Sequence, residues 1–526
     1  MLRSFRDIAR LFHAARVLSR HDALIPHELA DRVPSQLKFA RLVLFLGPPP
    51  FHSRPATTAT PEERLASALE SLGPAYIKLG QMLATRPDVI GDETARALSA
   101  LQDRLPAFPT EMAKAEVEAA LGAPLATLFA TFEEPLAAAS IAQVHRATTA
   151  DEAPHRVAVK ILRPAVEGEF ARDLSAFAFA ARWAERFFAE ARRLRVRALV
   201  DTLAASVAIE LDLRMEAAAA SELAERTAAD ADFRVPAVDW ERTAARVLTT
   251  EWVEGTSVRT AQELTAAGHD PKRIAVVIVR RFLTQALRDG FFHADMHQGN
   301  LFVDGQGRLV CVDFGIMGRL SPAMRRFLAE TLAGFLARDY ERVANVHYEA
   351  GFVPRTHPVP LFAQALRAIG EPIFGRRADA VSMARLLQQL FDTTRRFDME
   401  LQPQLVLLQK TMVVVEGVAR DLDPELDIWE AARPVIEKWM VDQVGPEARL
   451  RDAAEGINAL GRLAREFPQL LHNAEVVSLM LAEGGLRLHP ETALQIAQAQ
   501  VARTRHVRIA LWIAAGALVA LAIGLL

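Results

Sequence analysis

The hydrophobic pattern of the chain changes period twice. Up to about residue 125 apolar residues recur at helical spacing. From Thr131 they fall into short, strand-like blocks, and from Pro322 to about Gln500 helical spacing returns. Thr131 to Pro135, Val144 to Thr149 and Arg156 to Leu162 read as three strands. In the third, Val157, Val159 and Ile161 share one face, and Lys160 falls on the other with Ala158 and Leu162. A lysine at that parity either snorkels to solvent or points into a cleft. A long helix is expected over Ala198 to Glu225, strands over Val235 to Trp240 and Arg246 to Trp252, and a helix near Ala275 to Asp289. Leu405 to Val418 is apolar almost all round and is expected to be buried.

Breaks in the pattern divide the chain. Gly47-Pro48-Pro49-Pro50 ends a basic helical region, and the stretch to Pro61 reads as a linker. Gly73-Pro74 opens a helix that stops at Arg86-Pro87. On it Lys78 and Gln81, three apart, share a face. Alone, this K-x-G-Q reads as surface polarity, and Gly80 permits close approach of another backbone. The expected divisions are residues 1–60 (helical region and linker), 61–125 (helical extension), 126–255 (sheet lobe), 256–500 (helical lobe) and 501–526 (basic flank and membrane anchor).

Phe291 to Gly318 organises the rest. Leu301 to Val303 and Leu309 to Val312 are short apolar strands joined by the turn Asp304-Gly305-Gln306-Gly307. The hairpin brings Asp295 and Asn300, which precede it, close to Asp313, which follows it. A carboxylate and an amide oxygen so placed suit Mg²⁺, which takes oxygen ligands and shares them with phosphates. A further aspartate can orient a hydroxyl or a water. This is the layout of a kinase catalytic loop followed by D-F-G. Turn-capping aspartates are one alternative. A zinc pair of His293 and His297 is another, weakened by Gly299 and the strand that follows.

Other pieces fit the same chemistry. The turn Ala137-Ala138-Ala139-Ser140 stands where a nucleotide-binding hairpin carries glycines; Ile141, Ala142, Gln143, Val144 and His145 continue the candidate nucleotide-facing segment. Small side chains there let backbone N–H groups approach phosphate, less freely than glycine does. The helix after the strands carries Glu210, Asp212 and Glu216, the last two sharing a face, and a carboxylate from it can hold Lys160 in the cleft. Glu251 and Val253 lie in an expected hinge whose backbone could meet an adenine edge. After Phe314-Gly315 only a few residues precede Ser321-Pro322, which reads as a helix cap, so a peptide-docking platform is missing.

Bulk properties narrow the class. The 526 residues carry a net charge of −3, so nothing global points to nucleic acid. The arginine cluster from Ala191 to Arg197 reads as a solvated helix face. The single cysteine, Cys311, reads as a small buried apolar residue and allows no intrachain disulfide, which fits a reducing compartment. No cleavable signal peptide is visible. Arg3, Arg6 and Arg10 with Phe5, Leu11 and Phe12 form an amphipathic packing helix, with membrane contact or a transit peptide as alternatives. Ile509 to Leu526 is an unbroken apolar run spanning about 27 Å as helix, close to a bilayer's hydrocarbon thickness. Arg503, Arg505 and Arg508 before it place the body on the cytoplasmic side.

Assembled, the sequence resembles the UbiB family of atypical kinase-like proteins of bacterial ubiquinone biosynthesis. The resemblance runs from about Pro61 to Gly445. Its motifs are Y-I-K-L-G-Q-M-L-A-T-R-P-D, A-A-A-S-I-A-Q-V-H, V-A-V-K-I-L-R-P, E-L-D-L-R-M-E, F-F-H-A-D-M-H-Q-G-N, V-D-F-G-I-M-G and M-E-L-Q-P-Q-L-V-L-L-Q-K-T. It implies an α+β, two-lobed protein-kinase-like fold with an added N-terminal helical extension, an enlarged helical C-terminal region and a C-terminal transmembrane helix. It also implies that Lys160 contacts nucleotide phosphates and pairs with Glu216, that Asn300 and Asp313 ligate Mg²⁺, and that Asp295 stands at the catalytic-base position. Lys78 and Gln81 would belong to a helix packed over the cleft, facing Glu210 and Asp212. ATP or ADP with Mg²⁺ are the implied cofactors. A membrane lipid and quinone-biosynthesis enzymes or precursors are the implied partners, at the bacterial inner membrane, and a homodimer is left open. Family members often end in two spans, whereas this chain shows one.

Two functions are expected from these residues: a Mg²⁺-dependent ATPase or small-molecule kinase, and a nucleotide-gated lipid-binding scaffold or chaperone. The intact set Lys160, Asp295, Asn300 and Asp313 favours turnover. Ring hydroxylation is disfavoured, because no G-x-G-x-x-G follows a strand and no metal cluster is evident.

Overall fold

The computed structural model describes residues 2–21, 60–84, 90–99, 106–188, 195–374 and 402–444, with scattered positions between them. Residues Met1–Met440 form one compact unit, to which the following account refers; of the second, Val441–Leu526, only the first few residues are described.

The chain opens with α1 (Leu2–Arg20), α2 (Pro61–Leu72), α3 (Pro74–Ala84), α4 (Asp92–Ser99) and α5 (Thr110–Leu121). Thr60 and Glu63 start α2 with a reciprocal capping box. Strands β1 (Phe129–Ala138), β2 (Ala142–Thr149), β3 (Arg156–Leu162) and, later, β5 (Val247–Glu251) make an antiparallel sheet in the order β1-β2-β3-β5. Pro135 is tolerated because β1 is the edge strand and is irregular around it.

The pleat sorts this sheet into two cores. Val157, Val159, Ile161 and Val247 point to one face and pack with Ala113 and Val117 of α5. Ala142, Leu162 and Leu248 point to the other and join a larger cluster with Tyr76 of α3, Phe170 and Phe177 of α6 (Val166–Phe187), Val207 of α7 (Val196–Glu210) and Ala217 of α8 (Leu213–Arg226). Lys160 pairs in register with Val144 on one side and Leu248 on the other, so it lies on this second, helix-covered face. α1 packs on α6, with Arg10 paired to Asp173, so the N-terminal amphipathic helix is a packing helix.

Three expectations are corrected. The helix expected over Ala198 to Glu225 is two helices. Leu213 donates its N–H to Ala245 O (2.9 Å) instead of to a helical carbonyl, and Asp212, extended, caps α8 by accepting from Arg214 N. Val235 to Trp240 holds only a single bridge, Val238 to Thr250, before a 3₁₀ turn. On α13 (Pro403–Leu422, numbered below), Leu408, Met412, Val415 and Val418 are buried, but Val413 and Gly417 face solvent, so that helix has one open side.

The helical lobe is built on α9 (Pro271–Thr284), which bears Ile274, Ile278, Phe282 and Leu283 inward and ends in a π-turn, Gln285–Asp289. Beside it lie β4 (Phe233–Arg234), β6 (Gly255–Ser257), β8 (Leu301–Asp304) and β9 (Leu309–Cys311) in the order β4-β9-β8-β6, and a pair of β7 (Phe291–His293) with β10 (Met317–Arg319). Then come α10 (Pro322–Ala337), α11 (Tyr340–Glu349), α12 (Val359–Phe374), α13 and α14 (Ile428–Val444). Among the described residues no helix is long and apolar enough to cross a membrane. The expected span within residues 501–526 lies outside the described residues.

Candidate active site

The site is assembled by a hairpin, a strand and a helix. In the hairpin Leu301 pairs with Cys311 and Val312 N donates to Asn300 O (2.9 Å), which holds Asn300 beside the strand leading to Asp313. Asp304 Oδ1 accepts from Gln306 N and Arg308 N, and Gly307 takes the positive φ that closes the turn. Asp313 itself has φ +62, a left-handed conformation uncommon for a residue with a side chain and frequent where geometry serves a site.

From the sheet, Lys160 Nζ donates to both oxygens of Glu216 (2.8 and 2.9 Å) and lies 3.1 Å from Asp313 Oδ1. Glu216 is presented by the first turn of α8 and is buried. The Asp313 side chain is half-exposed, with its Oδ1 turned to Lys160. Burial disfavours its ionisation, but the Lys160 ammonium and the Gly315 N–H outweigh burial and hold it at about 2. For Glu216, burial and the nearby Asp313 charge outweigh the pull of Lys160 and push it up to about 7. Burial also opposes the Lys160 charge, and the two carboxylates overcome it, keeping the ammonium charged.

Asn300 Nδ2 donates to Asp295 O (3.1 Å), which leaves the amide oxygen as the free end of the side chain. With the Asp313 carboxylate it would offer oxygen donors of the kind that Mg²⁺ shares with phosphates and water. The zinc alternative is overturned by geometry. His293 accepts from Asp295 N at Nδ1 (3.1 Å) and donates from Nε2 to Val312 O (3.2 Å), so both ring nitrogens are spent; burial pushes its pKa down. His297 instead caps a turn by accepting from Gly299 N.

The nucleotide-facing segment is more constrained than its composition suggests. Ala137 and Ala138 close β1, and Val144 shares the Lys160 face. Ala139 spends its N–H on Ala142 O, and Arg163 grips the Ala139 carbonyl from Nε and Nη2 (3.1 and 2.8 Å). Ser140 is buried, and Ile141 and Ala142 pack into the larger core. The side chains of Gln143 and His145 are corrected outright. Their strand parity turns them to the opposite face, where Gln143 exchanges hydrogen bonds with the Phe108 backbone and His145 bonds Gln143 and Glu133 O. In the hinge, Glu251 spends its N–H on Ala237 O and its carboxylate on Arg234, whereas no hydrogen bond engages the Val253 backbone among the described residues.

The K-x-G-Q helix α3 lies on the Lys160 side of the sheet. Lys78 Nζ is 2.8 Å from Glu210 Oε2, the last residue of α7. Asp212 is not its partner; it is held by Arg214 at 2.7 and 2.8 Å. Gln81 Nε2 reaches Leu101 O only at 3.5 Å. Gly80 admits not a backbone but the Leu101 and Leu69 side chains, which a Cβ there would meet at 2.4 and 2.9 Å.

Two supports had no distinct sequence signal: Gln285 lies outside the motifs, and Thr411 is the last residue of one. Gln285 in the π-turn accepts from His293 N (3.1 Å). Thr411 of α13, buried, shares its hydroxyl proton between Leu407 O (2.9 Å) in its own helix and Ala294 O (3.1 Å), which brings the distant helix against the loop before Asp295. After Gly315 the chain forms β10 and reaches the Ser321 cap of α10 within six residues, leaving no room for a long docking segment.

A four-stranded sheet over a helical lobe, with a strand lysine held by a helix carboxylate beside the aspartate of D-F-G, defines an atypical kinase-like protein. Residues 100–347 match the ABC1 atypical kinase-like domain and residues 366–427 the UbiB helical domain. The chain is 40% identical over 474 residues to the "Probable protein kinase UbiB" of Marinobacter nauticus, covering 89% of this chain and 85% of that one. The solved structure of Rv3197 with erythromycin, from Mycobacterium tuberculosis, is similar at a TM-score of 0.48 and 24% identity, covering 76% of this chain and 97% of that chain. The chain belongs to the UbiB family.

Proposed function

We propose that the protein is a Mg²⁺-dependent, ATP- or ADP-binding kinase-like ATPase that acts at a membrane in support of ubiquinone biosynthesis. The observation that carries this reading is the placement of Lys160 between Glu216 and Asp313. A buried ammonium with two carboxylate neighbours is poised to pass from Asp313 to nucleotide phosphates while Glu216 keeps it oriented. Asn300 and Asp313 would hold Mg²⁺, which neutralises charge on the phosphates. Asp295, on the loop held by His293 and Thr411, would orient the attacking hydroxyl or water. The short segment after Gly315 and the packing of α3 on the Lys160 side argue for small lipid or quinone precursors over peptides. The expected C-terminal anchor and the cytoplasmic position of the body belong to the same proposal.

The test is phosphate release by the purified full chain, with and without vesicles and phenolic quinone precursors. Asp313→Asn should lower Mg²⁺-dependent release at least ~100-fold while leaving thermal unfolding nearly unchanged. Unchanged release from folded Asp313→Asn refutes the site. Tight nucleotide binding by the parent protein without release favours the scaffold reading.

A further inference from the structure

We propose that the exposed aromatic stripe at the C-terminal end of α6, with Phe188, Arg195 and Arg197 beyond it, forms a surface that lies on an anionic phospholipid bilayer, orienting the kinase-like body. The inference rests on the membrane location proposed above and not on the phosphoryl chemistry. Along α6, Phe170, Phe177 and Ala181 are buried in the core, as a packed helix requires. Phe179, Trp183 and Phe187, spaced by four, form a separate stripe. Trp183 stacks on Phe187 with centroids 5.3 Å apart, and Phe179 follows at 6.1 Å from Trp183. Trp183 is 49% exposed, Phe187 62% and the adjoining Phe188 63%. Three large, exposed aromatic side chains within six residues, two of them stacked, mark an interaction surface.

The charge around them selects the partner. Arg182 and Arg186 run beside the stripe, and Arg195 and Arg197 follow it; all four are exposed. Among the described residues none of these guanidinium groups pairs with a carboxylate, while exposed arginines elsewhere do: Arg146 with Glu133, Arg214 with Asp212, Arg319 with Glu222. Aromatic rings flanked by uncompensated arginines match the layered chemistry of a bilayer surface, with rings at the acyl boundary and cations at lipid phosphates. Arg195 and Arg197, from the run that reads in sequence as a solvated helix face, thus belong to the cationic rim of an aromatic patch.

The only cysteine of the chain, Cys311, is fully buried, so Phe188→Cys gives one accessible labelling position. The full chain carrying nitrobenzoxadiazole at that position is reconstituted into phosphatidylcholine vesicles with or without phosphatidylglycerol. Flotation reports membrane location, and emission reports the surface. The expected result is a blue shift and quenching by doxyl-labelled lipid in the phosphatidylglycerol vesicles. Both should be weakened by high salt and lost when Arg182→Gln, Arg186→Gln, Arg195→Gln and Arg197→Gln are combined. Water-like emission from protein that floats overturns this surface while leaving the membrane location standing. Emission already blue-shifted before lipid is added, and unchanged by it, shows a protein contact instead and also overturns it. Protein that fails to float overturns both this inference and the membrane location.

Discussion

Lys78 of α3 and Glu210 at the end of α7 meet at 2.8 Å with both side chains largely shielded from water. The pair fastens the K-x-G-Q helix to the helical layer on the Lys160 side of the sheet. Lys78→Met should leave Glu210 shielded without that cation and destabilise the protein by about 2–4 kcal/mol, with Lys78→Met/Glu210→Gln recovering part of the loss. Urea midpoints of the two singles and the double measure the coupling; strictly additive losses would show that the pair does not interact.

Thr411 acts at a longer range. Its hydroxyl lies between the Leu407 carbonyl of its own helix (2.9 Å) and the Ala294 carbonyl next to Asp295 (3.1 Å), and shares its one proton between them. Thr411→Val keeps the shape and removes the donor, which should cost about 1–2 kcal/mol. Turnover should fall more than nucleotide KM changes, because the loop loses its position and not its ligands. A variant whose phosphate release matches the parent would assign Thr411 to stability alone.

Gly318 allows β10 to lie on β7. A Cβ there would come within 2.1–2.6 Å of the Phe292 ring, which is fully buried and edge-on to Phe282. Gly318→Ala should therefore destabilise by at least ~2–3 kcal/mol, since the ring has no free volume to enter. Differential scanning calorimetry should show a clear fall in Tm; a normal transition would mean that the β7–β10 pair can slide apart cheaply.

His347 sets a pH window for stability. It is buried between Phe327 and Phe362, donates from Nδ1 to Val343 O (2.7 Å), and is depressed by burial to about 4. An unfolded histidine titrates near 6.5, so between the two values the unfolded chain binds the extra proton. Stability contributed by this site should be complete above about 6.5 and fall by up to about 3 kcal/mol as pH drops towards 4. His347→Gln should flatten that part of the urea-midpoint profile, and an unaltered slope would place the pH dependence elsewhere.

The sequence by itself determined what depends on near neighbours. Strand alternation put Lys160 opposite Val157, Val159 and Ile161, the Asp304–Gly307 turn closed the hairpin holding Asn300 near Asp313, and Ser321-Pro322 ended the short segment after Gly315. Periodicity, turn chemistry and caps act over a few residues, so they are legible without a fold. Tertiary structure alone decided the partners. Of three acidic candidates, Glu216 reached Lys160, Glu210 took Lys78 and Asp212 turned to cap α8, because Leu213 bonds to Ala245 and breaks a helix whose pattern reads as continuous. The same holds for Gln143 and His145, drawn to the far face by the Phe108 backbone and Glu133 O, and for Thr411, which meets a carbonyl 117 residues away. Which helix covers which face of a sheet, and which donor meets which acceptor across it, follows from packing the whole unit at once, and no local rule carries that information.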